Sequence, residues 1–96
     1  MEELKDLREK IDAIDQQMVD LFKQRMEVSK EVAAYKQANG LPTLDAGRER
    51  ALLGKVGEQA GEELADYTQS VYRTILAAGR SYQNACSGVT SKVYET

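Results

Sequence analysis

From Leu4 to Tyr35 the apolar residues recur in alternating steps of three and four, at Leu4, Leu7, Ile11, Ile14, Met18, Leu21, Val28, Val32 and Tyr35. That spacing draws one continuous seam down a single face of an α-helix and fits no β-strand. The stretch contains no proline and no glycine before Gly40, so it predicts one long helix from about Glu2 to Asn39. The seam has one irregularity: Arg25 stands where the next apolar residue belongs. Burying a cation without a partner costs at least several kcal/mol, so something anionic is expected beside Arg25.

The rest of the chain also reads as helix. Pro42 disfavours helical geometry at Leu41, which makes 41–43 a loop, and Thr43 or Asp45 can cap the helix that follows. A second helix is expected from about Leu44 to Gln59 with Leu52, Leu53 and Val56 as its stripe, softened at its end by Gly54, Gly57 and Gly61. A third is expected from about Glu62 to Ala85, with Leu64, Tyr67, Val71, Ile75, Ala78 and Tyr82 on one face. The expected fold class is therefore all-α, one long helix plus two shorter ones, with a domain over residues 1–85 and a tail or linker start over 86–96.

Helix length carries a consequence for assembly. About 37 helical residues span roughly 55 Å, whereas a compact domain of this size is only about 30 Å across. The first helix must overhang its own fold, and the uncovered seam needs a second copy. An intertwined homodimer built on antiparallel first helices is expected.

Composition narrows the partners. With 42% hydrophobic and 30% charged residues and no long apolar run, the chain reads as a globular protein without a membrane span. Its formal net charge of −3, with basic residues dispersed among acids, argues against nucleic acid. A single cysteine, Cys86, and no histidine leave no internal disulfide and no Cys/His metal site. The charged start MEELKDLREK has neither the apolar core nor the cleavage site of a targeting segment, so a cytoplasmic location is expected.

Around Arg25 the pattern outlines a polar site. Lys36 lies eleven residues on, about 16 Å along the axis and near the same face, so the two cations can straddle a small ligand. Arg8 lies some 25 Å away in the other direction, and an antiparallel partner would return it. Glu49 precedes Leu52, Leu53 and Val56 at helical spacing and so falls on the buried stripe of the second helix. Asp45 and Arg48 lie beside it at the helix start, and Gln83 borders the apolar face of the third helix. Each has an ordinary reading: an Arg25–Glu49 ion pair, an N-cap at Asp45, a surface charge at Arg48, a dipole complement at Lys36, an Arg8–Asp12 pair. The set points to a closed polar site in a helical bundle.

Four blocks, LREKIDAIDQQMVDLFKQR, EVAAYK, DAGRER and ILAAGRSYQ, together resemble the all-helical chorismate mutases, and the likeness runs through Gln83. The resemblance implies a homodimer in which Arg8 reaches the partner's site, while Arg25, Lys36, Asp45, Arg48, Glu49 and Gln83 act from one chain. It implies conversion of chorismate to prephenate, an intramolecular [3,3] rearrangement that needs no cofactor, metal or nucleophile. Arg8, Arg25 and Arg48 would pair with the two carboxylates, and Lys36 and Gln83 would donate to the ether oxygen as its bond stretches. Glu49, with Asp45, would accept from the ring hydroxyl.

One position departs from the pattern. Many members of the family carry a serine where this chain has Gly79, so either a backbone group or water replaces that contact or the affinity for chorismate is lower than usual. An isochorismate pyruvate-lyase on the same scaffold is the alternative enzyme, and a non-catalytic helical dimerisation or regulatory module is the alternative outside enzymes. Glu49 as a hydroxyl acceptor favours the mutase.

Overall fold

A computed structural model describes residues 3–86 and contains three helices: α1 (Leu4–Ala38), α2 (Ala46–Ala60) and α3 (Ala65–Cys86). Among the described residues there is no strand, as the periodicity predicts. The expected tail lies outside the described residues apart from Cys86, which is the last residue of α3.

Local sequence sets each helix end. The Glu3 N–H donates to Asp6 Oδ2 at 3.4 Å at the start of α1. At its other end Gly40 takes φ 65° and lets the Leu41 N–H return to the Lys36 carbonyl at 2.8 Å, a glycine-dependent stop. Asp45 caps α2, its Oδ1 accepting from the Arg48 N–H at 3.0 Å. Both α2 and α3 therefore start two to three residues later than the sequence pattern suggested, because Leu44 and 62–64 belong to the connecting turns.

The third helix packs against both α1 and α2, which make no comparable contact with each other. Small residues set the α1–α3 approach: Ser29 and Ala33 are buried on α1, Ala78 and Gly79 on α3. A Cβ placed on Gly79 would stand 3.6 Å from Ser29 Oγ. Between α2 and α3, Gln69 lies across Gly57 and donates to the Leu53 carbonyl at 3.0 Å. The expected α2 stripe is observed, with Val56 buried and Leu52 and Leu53 half-buried.

Two faces differ from the sequence reading. On α3 the expected stripe holds in its second half, with Ala78 buried and Ile75 and Tyr82 half-buried. Tyr67 and Val71 stay exposed, as does Leu64 in the turn before the helix, and Thr68, Gln69, Tyr72, Leu76, Gly79 and Gln83 turn inward beside the stripe. The reason is that α3 serves two neighbours, so its packed face follows their small residues rather than its own largest side chains. On α1 the seam itself is bare: Leu4, Ile11, Ile14, Met18 and Leu21 are each more than half exposed. The described residues extend over 57 Å, the first helix overhanging the bundle, and among them no large side chain is fully buried.

Candidate active site

One cavity of about 340 Å³ opens where the second half of α1, the start of α2 and the end of α3 converge. Six of the seven residues singled out in the sequence line it: Arg25, Lys36, Asp45, Arg48, Glu49 and Gln83. The seventh, Arg8, is exposed near the start of α1 and does not reach it. Helical repeat explains the grouping, since Arg25, Val28, Ser29, Val32 and Lys36 recur every three or four residues and so line one wall.

Lys36 Nζ donates to the Thr43 carbonyl at 2.7 Å, which holds the ammonium against the loop between α1 and α2. Thr43 Oγ1 donates to Asn84 Oδ1 at 2.8 Å and ties the same loop to α3. An ammonium carries three donors, so Lys36 keeps two for a ligand. Gln83 is 9% exposed, and its Oε1 is buried without a hydrogen-bond partner. A buried acceptor left open in this way is a place where a donor group of a ligand can supply the missing bond.

Glu49 is half-buried, and its partner is not Arg25. The Nη1 of Arg80 donates to both carboxylate oxygens, at 2.5 and 2.6 Å. The ordinary Arg25–Glu49 pair is thereby replaced, and Arg25 is left facing the cavity. Asp45 fulfils its capping role and lines the cavity as well.

Sequence reading missed Arg80, Ser29 and the Thr43–Asn84 link. Arg80 was legible in principle: it follows Leu76 by four residues and precedes Gln83 by three, which puts all three on one face. Ser29 follows Arg25 by four in the same way. The Thr43–Asn84 bond joins residues 41 apart in sequence and leaves no local signal.

The lining includes four cations, Arg25, Lys36, Arg48 and Arg80, against two carboxylates, Asp45 and Glu49, which leaves two positive charges. Such a pocket suits a small dianion that also carries a hydroxyl. Among the described residues no group of His, Cys, Asp and Glu is placed to hold a metal, and no helix is long and apolar enough to cross a membrane.

Residues 7–84 match the family described as chorismate mutase type II. The chain is 36% identical over 87 residues to a T-protein of Haemophilus influenzae, covering 88% of this chain and 23% of that protein. It is 32% identical over 66 residues to a chorismate mutase of Methanocaldococcus jannaschii, covering 69% of this chain and 67% of the relative. A bifunctional chorismate mutase/prephenate dehydratase of Aquifex aeolicus is 38% identical over 56 residues, covering 58% of this chain and 16% of that protein. The chain thus spans less than a quarter of two of these relatives and two thirds of the third. No solved structure matches the chain at comparable significance.

Proposed function

Because this chain belongs to the chorismate mutase type II family, we propose that it converts chorismate to prephenate, as a cytoplasmic homodimer serving aromatic amino acid biosynthesis. The observation that carries the reading is the convergence of six candidate residues on one cavity with a two-charge excess, while Arg8 remains outside on an uncovered seam. The alternative of a purely structural module gives no reason for an open cavity lined by four cations.

Chorismate is a dianion with a ring hydroxyl and an ether bond. Arg25 pairs with one carboxylate, and Arg8 of a second copy enters the open side to pair with the other, helped by Arg48. These contacts fold the enolpyruvyl side chain over the ring and convert a rare conformer into the bound one. Lys36 and Gln83 face the ether oxygen. As the C–O bond lengthens and the C–C bond forms, electron density gathers on that oxygen, and donors already in place stabilise the transition state more than the substrate. Glu49 accepts from the ring hydroxyl with the lone pairs that Arg80 leaves, and Asp45 supports that side of the site.

The bare seam supports a dimer. Leu4, Leu7, Ile11, Ile14, Met18 and Leu21 line one face of the overhanging helix, and antiparallel pairing covers that face while returning Arg8 towards the other copy's cavity. Residues 1–85 are the unit that does this chemistry.

The test is to incubate the purified chain with chorismate and, separately, with isochorismate, and follow both by proton NMR. Prephenate from chorismate supports the reading. Pyruvate from isochorismate alone moves the assignment to a lyase, and no product from either substrate overturns catalysis by this chain.

A further inference from the structure

Arg80 is the cation of the cavity lining that the reaction as derived above does not bring onto the substrate. Its Nη1 lies on both oxygens of Glu49, and both side chains are half-buried, at 29% and 21% exposure. A guanidinium has five N–H donors in a rigid fork, and Nη1 carries only two of them. The three on Nη2 and Nε meet no protein acceptor among the described residues, although Arg80 lines the cavity. Glu49 therefore fixes this side chain in advance and leaves part of its fork open.

Within one chain Arg80 is one of four cations lining the cavity, beside Arg25, Lys36 and Arg48 and against the carboxylates of Asp45 and Glu49. The neighbouring wall is Gly79, where even a single Cβ would stand 3.9 Å from Arg25 Nη1. Gly79 lines the cavity next to Arg80 and contributes no side chain to its wall.

We infer that Arg80 is a specificity-determining residue that binds one carboxylate of the substrate through the donors Glu49 leaves unengaged. The inference rests on the proposed mutase reading and deepens it. An arginine anchored before binding loses little freedom when the carboxylate arrives, so its contact is realised in affinity for dianions over monoanions.

The experiment is steady-state kinetics of the full chain and its Arg80→Gln and Arg80→Lys variants on chorismate and its two monomethyl esters, with Lys36→Ala in parallel. Losing a charged hydrogen bond predicts a KM for chorismate raised on the order of 10- to 100-fold in Arg80→Gln, with kcat falling far less. Arg80→Lys restores the charge without the fork and falls between. For the ester that lacks the carboxylate in question, the substitution leaves KM unchanged. A KM within about twofold of wild type for chorismate, or an equal rise for all three compounds, overturns the inference, because a role exercised only through Glu49 makes no distinction between them. If Arg80→Gln fails to fold, the Arg80→Lys comparison across the three substrates decides in the same way. Wild-type turnover lost in Lys36→Ala preserves the mutase reading whatever Arg80 does; wild type without prephenate overturns both.

Discussion

Lys36 Nζ lies 2.7 Å from the main-chain oxygen of Thr43, whose hydroxyl is in turn bound to Asn84 Oδ1 at 2.8 Å. Three segments, the end of α1, the loop and the end of α3, are thus held together at the ammonium assigned to the ether oxygen. Replacing Thr43 by Val removes the hydroxyl and leaves the Thr43 carbonyl in place. Loss of that one bond predicts a stability cost of about 1 kcal/mol, and a looser loop predicts a several-fold fall in kcat with little change in KM. Urea unfolding and steady-state rates on the same samples check both.

Lys36→Ala removes the charged donor outright. A single preorganised donor to a developing oxyanion is worth roughly 10²–10³ in kcat, so a loss of at least that order is expected with an unchanged circular dichroism spectrum. Among the described residues the half-buried ammonium makes no ion pair, so its removal leaves none of their carboxylates stranded.

Two glycines of α2 separate helix propensity from packing. A Cβ on Gly54 meets nothing within 4 Å, so Gly54→Ala is expected to stabilise by about 0.5–1 kcal/mol. On Gly57 the same Cβ falls 2.6 Å from Gln69 Nε2 and displaces the side chain that bonds Leu53. That loss, also about 1 kcal/mol, cancels the gain, so Gly57→Ala is expected to show no net stabilisation. Thermal melts of the two variants side by side give the contrast.

The bare α1 seam predicts self-association. Ile14→Lys puts a charge in its middle and is expected to shift the chain from dimer to monomer in sedimentation equilibrium, with activity falling in step. A monomeric wild type that turns over normally contradicts the paired-helix assembly.

Helix number, the length of α1 and six of seven candidate residues around the cavity were legible because helical spacing places residues on a face without tertiary information. The Arg25 and Lys36 positions are an example, eleven residues apart and on one wall. What the spacing did not disclose depended on neighbours. The packed face of α3 is set by Ser29, Ala33 and Gly57 on the helices beside it, so Leu64, Tyr67 and Val71 read as core and are exposed. The partner of Glu49 was not legible for the same reason: Arg25 and Arg80 both line the cavity, and the packing of α2 on α3 selects Arg80 over the ordinary Arg25 pair.

The account's central claim is that one chain's cavity, completed by Arg8 of a second chain, turns chorismate into prephenate. The most direct measurement is to prepare Arg8→Ala and Lys36→Ala separately, mix them in equal amounts under conditions of subunit exchange, and assay prephenate formation. Each mixed dimer has one site with both residues intact and one site with neither. Random exchange makes half of the dimers mixed, so activity is expected to rise from near zero to about a quarter of wild type. Two inactive variants that stay inactive after demonstrated exchange would contradict the shared site, and an Arg8→Ala variant with wild-type activity would remove Arg8 from it altogether.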